Sequence, residues 1–333
     1  MKRNYTIIPL SLLLLIAMVA CSNKSKGNTD SEGKQPKSTV SVPQFDADSA
    51  YRYVKEQVDF GPRVPNTAAH KACGEYLAKK LEQFGATVYN QQVDLTAYDG
   101  TLLKARNIIG SYKPETKKRI VLLSHWDSRP WADADSDEKN RHTPILGAND
   151  GASGVGVLLE IARQLHKQLP ELGIDIVLVD AEDYGPHQSY TGNHKEEYWA
   201  LGSQYWAQNP HVQGYNARFG ILLDMVGAKR RHFLLRRILR RVCQKASTGK
   251  YGMRPITWAT DVIYVKEKGN IVTDDHLFVF RNARIPTIDI IQYSEETGFY
   301  ENWHTLKDDM DGIDRNTLKA VGQTVMEVIY NEK

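Results

Sequence analysis

Residues 119–127 read RIVLLSHWD, an apolar run that ends in two residues with ionisable side chains, His125 and Asp127. An apolar run of this length without alternation is typical of a strand buried on both faces of its sheet. Two further runs have the same character, DIVLVDAED at 175–183 and FGILLD at 219–224. All three end in acidic or histidine residues, so the same strands indicate the fold and the place to look for chemistry.

Helical patterns separate these strands along the chain. Helices are predicted at 68–84, 154–169, 197–209 and 316–331, and further strands at 87–94, 103–110 and 286–291. The first two of these further strands are expected to form an antiparallel pair. Buried strands that alternate with helices indicate an α/β fold, with a mostly parallel, twisted central sheet and helices on both faces.

The N-terminal segment has a different character. A basic start precedes an apolar run at 7–20, which is too short to span a bilayer comfortably and is typical of a signal peptide, here residues 1–20. Small residues before Cys21 resemble the lipobox of bacterial lipoproteins, from which Met18 departs. We expect an exported chain, lipid-anchored to a bacterial membrane through Cys21, with its folded domain in the periplasm or at the cell envelope. A plain signal peptide or an uncleaved anchor is the alternative.

Residues 21–44, with the lipidated cysteine at their start, are rich in Ser, Lys, Gly, Asn and Pro and predict a disordered tether. Residues 45–333 then form a single domain. Of the 43 basic and 40 acidic residues of the chain, six basic and two acidic ones precede residue 45, so the domain is near neutral. This argues against a nucleic-acid partner. Cys73 and Cys243 are too far apart in sequence to decide whether an exported domain joins them.

Ionisable residues collect where the buried strands end. His125 and Asp127 follow the first run, Glu182 and Asp183 follow the second, and Asp224 closes the third. In open α/β sheets this edge binds ligands. Taken singly, each residue is explained by a turn, a helix cap or solvation. Together they indicate a site, because clustered like charges repel unless a cation or a shared proton relieves them.

A zinc ion is the simplest relief of this repulsion. Zinc accepts carboxylate oxygens and imidazole nitrogens, and a catalytic site keeps one position open for water or substrate. Asp150, in the glycine-rich turn GANDG at 147–151, would supply one ligand, and Asp183 and His304 two more. Glu182, next to a ligand, is placed to act as a general base.

The order of these elements resembles the zinc-aminopeptidase-like (M28) family of α/β exopeptidases. The shared elements are His125-x-Asp127, Gly147-Ala148-Asn149-Asp150, Glu182-Asp183, Leu223-Asp224 and His304-Thr305. The resemblance covers the chain from about residue 45 to its end and implies a zinc-exopeptidase fold. The family holds two chemistries, peptide hydrolysis with two zinc ions and cyclisation of N-terminal glutamine with one.

The two chemistries imply different ligand sets. In the dizinc aminopeptidases, Asp150 would bridge two ions, one held also by His125 and Asp224 and the other by Asp183 and His304. In the glutaminyl cyclases, Asp150, Asp183 and His304 would hold one zinc ion per chain. His125 would then be a hydrogen-bonding residue at the pocket, with Asp127 as its partner.

Several residues favour the cyclase branch. Asp274, in TDDH at 273–276, matches a cyclase aspartate that shares a proton with the strand-end Asp224, which would make Asp224 a poorer ligand for a second cation. Phe299 and Trp303 match aromatic residues of the cyclase pocket. The segment SHWDSR resembles the cyclase form of the His-x-Asp motif, and its last residue, Arg129, is expected at the substrate pocket.

The resemblance to bacterial glutaminyl cyclases implies that the N-terminal glutamine of peptides or proteins is converted to pyroglutamate, with release of ammonia. Glu182 would move the proton, and Asp224 and Asp274 would steady the tetrahedral intermediate. We expect a monomer. A dizinc aminopeptidase remains the first alternative, since His125 and Asp224 are both present. A surface-anchored binding protein on a retired hydrolase scaffold is the second.

Two charged segments have simpler interpretations. The run FLLRRILRRVCQ at 233–244 carries four arginines at helical spacing and predicts a surface helix with a solvated basic face. Asp133, Asp135, Asp137 and Glu138 lack the spacing of an EF-hand calcium loop. They predict a solvated, mobile loop near the mouth of the pocket.

Overall fold

The computed structural model describes residues 41–229, 232–235, 263–265, 272–294 and 298–333. The predicted signal peptide, Cys21, the tether up to residue 40 and Cys243 lie outside these residues. Val42 already packs against the core, so the tether ends before the predicted residue 44. Cys73 is buried and forms no disulfide within the described part of the chain. None of the described helices has the length and apolar character to cross a membrane.

Six α-helices lie along the described part of the chain, between residues 47 and 331. They are α1 (Ala47–Val58), α2 (Ala68–Gln83), α3 (Ala152–Lys167), α4 (Leu201–Gln208), α5 (Asp275–Phe278) and α6 (Arg315–Asn331). The side chains of Asp46, Thr67 and Asp314 cap α1, α2 and α6 by accepting hydrogen bonds from first-turn N–H groups. The sequence reading missed α1, although Asp46 is an N-cap signal.

The strands form one mixed sheet. They are β1 (Thr87–Thr96), β2 (Leu102–Tyr112), β3 (Arg119–His125), β4 (Gly173–Val179), β5 (Gly220–Asp224), β6 (His232–Leu235), β7 (Ile263–Val265), β8 (Thr287–Ser294) and β9 (Gly298–Phe299). Their order is β1-β2-β4-β3-β5-β8-β6-β7, and β9 pairs with β8.

The four central strands of this sheet, β4, β3, β5 and β8, run parallel to one another. The strands β6 and β7 form a further parallel pair at one flank. The pairs β1–β2, β2–β4, β6–β8 and β8–β9 are antiparallel. The predicted α/β class is therefore confirmed, and "mostly parallel" holds for the four central strands and for the pair β6–β7. The predicted antiparallel pair at the start of the sheet is confirmed as β1 and β2.

Strand β3 is apolar without alternation because helices cover both of its faces. Ile120 and Leu122 belong to the core cluster that contains side chains of α1, α2 and α3. Val121 and Leu123 belong to a second cluster, which contains Trp206 of α4. All four side chains are fully buried. The carboxyl end of β3 is thereby fixed in the middle of the sheet edge, where the site lies.

The basic segment at 233–244 was predicted wrongly at its start. Residues 232–235 form strand β6, which pairs with β7 and β8. Residues 236–244 lie outside the described residues. The apolar run at 233–235 is too short for a periodicity that separates strand from helix. Pairing with β7 and β8 decides its conformation.

Candidate active site

The predicted metal ligands come from three separate parts of the chain and meet at the carboxyl edge of the central strands. Asp150 lies in the turn before α3, Asp183 follows β4, and His304 follows β9. His304 Nε2 lies 3.1 Å from Asp183 Oδ1 and 3.5 Å from Asp150 Oδ2. The exposed fractions of the three side chains are 3%, 2% and 2%. The sequence therefore named a set of residues that the fold brings together.

This trio fits a zinc ion. One oxygen or nitrogen from each residue lies within 4.8 Å of the others. Asp150 Oδ2 and Asp183 Oδ2 are buried and accept no hydrogen bond from any described residue. Buried carboxylate oxygens are normally paired or bound to a metal. Two carboxylates and one imidazole are a ligand set that zinc accepts with a further position open.

The backbone is strained where it delivers these side chains. Ala181, Met225 and His304 have positive φ of 52°, 48° and 54°, a left-handed conformation that non-glycine residues rarely adopt. Ala181 precedes the Glu182-Asp183 pair and Met225 follows Asp224. Such strain persists where the surrounding structure holds it, and it clusters at functional sites.

Buried side chains stand behind two of the ligands. Asp308 accepts the backbone N–H of Asp150 at 3.1 Å, and burial, with the charge of Asp150, raises the pKa of Asp308 to about 8. Asp127 accepts the backbone N–H groups of Glu182 and Asp183 at 3.2 and 3.1 Å. The ligand-bearing turns are thus fixed by carboxylates that do not belong to the trio.

Glu182 lies beside the trio and faces the cavity. Burial raises the pKa of its carboxyl group well above the usual range, and the charges of Asp183 and Asp275 add to this while His125 opposes it. A carboxyl group in this position is placed both to accept and to donate a proton.

A second possible metal trio shares Asp150. His125 Nε2 lies 3.1 Å from Asp150 Oδ1 and 3.2 Å from Asp224 Oδ1. Oxygen and nitrogen atoms of these three residues also lie within 4.8 Å of one another. Asp127, the predicted partner of His125, approaches the other ring nitrogen at 3.4 Å. The donor set for a second cation is therefore present, as the sequence suggested.

Asp274 lies at the N-terminus of α5 and lines the same cavity as Asp224. Burial raises the pKa of Asp274 well above its usual range, and the charges of Asp289 and Asp224 raise it further. The structure therefore brings Asp274 and Asp224 to one cavity, as the resemblance to cyclases implied.

The cavity has a volume of about 370 Å³, and aromatic side chains form part of its lining. Phe299 and Trp303 line it as predicted, with ring centroids 5.0 Å apart, and Trp303 stacks on His304 at 3.6 Å. Tyr293 and Trp199 also line it, and the sequence reading missed both. Trp199 lies between a short 3-10 helix and α4, where no sequence pattern indicates the direction of its side chain.

Two residues predicted at the pocket do not line it. The side chains of His125 and Arg129 are both 1% exposed and lie behind the cavity. The N–H groups of Arg129 are directed at protein oxygens, including both carboxylate oxygens of Asp133. The pocket prediction is therefore wrong for both residues, because the ion contacts of their side chains turn them inward.

The acidic run at 133–138 is not uniformly solvated either. Asp133 and Asp135 are buried, whereas Asp137 and Glu138 are exposed. Asp133 pairs with Arg129 and contacts His304, and Asp135 accepts the backbone N–H of Leu306. Asp133 is therefore part of the site, because its carboxylate contacts the predicted ligand His304. Asp135 contacts the loop that follows His304 rather than the ligand itself.

Comparison with known proteins agrees with this geometry. The model of Peptidase family M28 matches residues 107–329. Glutaminyl-peptide cyclotransferase of Bos taurus is 27% identical over 256 residues, which cover 68% of this chain and 65% of that protein. The chain spans 31%, 65% and 39% of the first three curated relatives that it matches, which is less than two thirds of each.

Solved structures match over more of the chain. Glutaminyl cyclase of Bacteroides thetaiotaomicron bound to N-acetylhistamine is 65% identical, with a TM-score of 0.80, over 88% of this chain and all of that one. A structure from the same organism solved as a leucine aminopeptidase precursor is also 65% identical, with a TM-score of 0.79, over 89% of this chain and all of that one. One of these two similar structures is thus named as a cyclase and the other as an aminopeptidase, the two chemistries that the sequence leaves open.

Proposed function

This chain belongs to peptidase family M28, and we propose that within this family it is a glutaminyl cyclase rather than a peptidase. Its substrates are peptides or proteins with N-terminal glutamine. The products are the pyroglutamyl peptide and ammonia. The reaction is an acyl transfer in which the substrate's own α-amine attacks its side-chain amide carbon, so no water enters.

Asp150, Asp183 and His304 would hold one zinc ion per chain. Their buried oxygens, two of them without a hydrogen-bond donor among the described residues, support this assignment. When bound, zinc supplies Lewis-acid polarisation of an amide carbonyl. The cavity beside the trio is where the glutamine side chain would lie.

Glu182 would carry the proton. Its carboxylate accepts a proton from the α-amine as the new C–N bond forms, and the same carboxyl group delivers a proton to the departing amide nitrogen. The electron pair of the broken C–N bond leaves with that nitrogen as ammonia. Asp127 fixes the backbone of Glu182 by accepting a hydrogen bond from its N–H group.

Asp274 and Asp224 would hold the leaving nitrogen and steady the tetrahedral intermediate. Phe299, Trp303 and Trp199 would form the apolar walls that keep the short side chain curled towards its own amine. Holding the two reacting atoms of one substrate in contact supplies much of the acceleration of a ring closure.

One observation carries the proposal: the small cavity with aromatic walls in which Glu182 and Asp274 lie beside the zinc-ligand trio. Its volume of about 370 Å³ suits a single side chain with its amine. The cyclase similarity at 65% identity over 88% of the chain agrees with it.

A dizinc aminopeptidase is the second candidate. The trio of His125, Asp150 and Asp224 favours it, since these residues can accept a second cation. The equally similar structure solved as an aminopeptidase precursor also favours it. In that case Glu182 would activate a water molecule rather than move a proton within the substrate.

A paired substrate assay tests the proposal. The purified protein is offered a Gln-peptide and the matched Leu-peptide, and ammonia and free amino acid are measured in both. We expect ammonia from the Gln-peptide without cleavage of either peptide. Release of free leucine with no ammonia would show the aminopeptidase instead, and inactivity of a zinc-loaded protein on both peptides would favour a binding protein. N-acetylhistamine should inhibit, because an imidazole nitrogen is a zinc ligand.

We also propose that the chain is exported, lipid-anchored through Cys21, and monomeric. The sequence before residue 45 supports the anchor. Replacing the lipid acceptor (Cys21→Ser) should move the protein from the membrane fraction to the soluble periplasmic or secreted fraction. A C21S protein that stays in the membrane would refute the lipid anchor, and a light-scattering mass of twice the chain would refute the monomer.

A further inference from the structure

The guanidinium group of Arg129 is buried and contacts both Asp133 and the metal ligand Asp183. Its Nε lies 2.9 Å from Asp133 Oδ1 and its Nη2 lies 2.5 Å from Asp133 Oδ2. Its Nη1 donates to the backbone carbonyl of Asp183 at 3.0 Å and lies 3.4 Å from Asp183 Oδ1. Its side chain is 1% exposed. Such a two-pronged pair between Arg and a carboxylate is geometrically specific.

Asp133, the partner of Arg129, also contacts His304. Its Oδ1 lies 3.3 Å from His304 Nδ1, and its Oδ2 accepts the backbone N–H of Gln188 at 2.9 Å. The other ring nitrogen, Nε2, faces Asp183 and Asp150. A carboxylate at Nδ1 favours the tautomer in which that nitrogen carries the proton and Nε2 presents its lone pair to a metal.

Further contacts tie the same loop to the segment around His304 without touching the imidazole ring. The N–H of Ala134 donates to the carbonyl of His304 at 3.0 Å. Asp135 Oδ2 accepts the N–H of Leu306 at 3.1 Å. These contacts fix where the two loops lie, whereas Asp133 approaches the ring itself. Asp135 therefore offers a matched control for Asp133.

We propose that Arg129 and Asp133 form a positioning pair for the zinc site. Asp133 sets the tautomer and orientation of the His304 ring, and Arg129 holds Asp133 and Asp183 in a fixed relation. The pair links ligands that lie more than a hundred residues apart in the chain. Neither residue contacts the substrate, and both act through the metal ligands. This inference rests on the zinc site of the proposed function.

The pair also suits the charge of its surroundings. Five carboxyl groups already lie around the cavity, those of Asp150, Glu182, Asp183, Asp224 and Asp274. A lone carboxylate behind His304 would add to their mutual repulsion. Because Arg129 accompanies it, Asp133 contacts the imidazole without adding net charge. An unpaired buried charge would be costly, so the two residues are expected to act as a unit.

Substitutions in this pair should change the affinity of the protein for zinc. Apo-protein is titrated with zinc against a competing fluorescent chelator, and the fold is checked by circular dichroism. Asp133→Asn, which keeps the side-chain shape, should weaken zinc binding by about 10–100-fold. Excess zinc should restore turnover, because the groups facing the cavity are unchanged. The control Asp135→Asn removes a loop contact but not the ring contact, and should leave zinc affinity near that of the wild type.

Arg129→Lys separates charge from geometry. Lysine keeps the positive charge but cannot bind both oxygens of Asp133 in one plane. It should weaken zinc binding less than Asp133→Asn does. Equal zinc affinity in the wild type, R129K and D133N would overturn the proposal, and so would D133N and D135N variants with the same affinity.

A measurement on the wild type keeps the proposal testable if these variants do not fold. Nitrogen-15 histidine spectra of the zinc-loaded protein should show His304 with a proton on Nδ1 that is protected from exchange and with Nε2 bound to metal. Metal bound through Nδ1 would overturn the pair. Cyclase activity with one bound zinc would then still stand. A wild-type protein that binds no zinc would overturn both the pair and the proposed zinc site.

Discussion

The metal side and the wall side of the cavity are held in different ways. On the metal side, Asp150, Asp183 and His304 are almost completely buried. Each of them is contacted by a second buried carboxylate, Asp308, Asp127 and Asp133 respectively. On the wall side, Phe299, Trp303 and Trp199 are partly exposed. Phe299 and Trp303 contact each other by ring packing.

The side chains on the two sides are therefore held in position with different precision. Hydrogen bonds and ion pairs in a buried setting are directional and costly to break, so they hold a ligand set to one geometry. Aromatic packing is less directional, and a partly exposed ring can adjust to its occupant. We therefore expect loss of a ligand on the metal side to abolish zinc binding, and changes on the wall side to have graded effects on substrate binding.

Loss of a ligand should have the largest effect. Asp183→Ala removes one of three protein ligands and leaves a space that holds only water. We expect the purified variant to contain almost no zinc and to show no ammonia release from a Gln-peptide. Metal analysis by mass spectrometry measures this directly. A variant that retains one zinc per chain would remove Asp183 from the ligand set.

Loss of the proton carrier should abolish turnover while leaving the metal. Glu182→Gln keeps the shape of the side chain but cannot accept the amine proton, and general acid–base groups contribute roughly 10²–10⁴-fold to rate. We expect kcat to fall by about that range, with zinc content equal to the wild type. The control Glu196→Gln changes a partly exposed glutamate that pairs with Arg281, and should leave kcat unchanged. Substantial activity in E182Q would show that another group moves the proton.

A shortened wall should give a smaller effect, without loss of metal. Trp303→Ala removes the ring that packs on Phe299 and His304. We expect kcat/KM to fall by about 10–100-fold, since lost apolar contact to a substrate group is worth about 1–3 kcal/mol. The matched control is Trp131→Ala, because this ring does not line the cavity. Equal losses in the two variants would mean that Trp303 acts on the fold rather than on the substrate.

The smallest effect is expected from a change that keeps the wall apolar. Phe299→Leu retains a hydrophobic side chain of similar reach, so KM should rise a few-fold while kcat and zinc content stay near the wild type. Steady-state kinetics with a Gln-peptide measure this. A loss of kcat as large as that of Glu182→Gln would show that the wall tolerates substitution no better than the metal side does.

The sequence predicted the metal side better than the wall side for a physical reason. The carboxyl ends of parallel strands meet at one edge, so Glu182, Asp183 and Asp224 can be placed together from strand assignments alone. Asp150 lies in a glycine-rich turn before a predicted helix, and His304 lies just beyond the predicted strand at 286–291. The wall residue Trp199 comes from a segment without regular structure, and no periodicity indicates which way its side chain points.

The errors concern side chains whose direction depends on tertiary contacts. Arg129 and His125 were placed at the pocket because of their position in the motif, but ion contacts turn both inward. Asp133 is predicted to be solvated because acidic runs usually are. Its partner Arg129 is only four residues away, but His304 lies far along the chain, and no local pattern reveals that contact. Strand β6 was assigned to a helix because its pairing with β8 is also non-local.

Zinc titration of the apo-protein tests the central claim most directly. Ammonia release from a Gln-peptide and leucine release from a Leu-peptide are followed in the same samples as zinc is added. We predict that ammonia release rises in proportion to zinc and saturates at one ion per chain, with no leucine released at any point. Saturation only at two ions per chain, accompanied by release of leucine, would contradict a single-zinc cyclase and identify the His125, Asp150 and Asp224 trio as a second catalytic metal site.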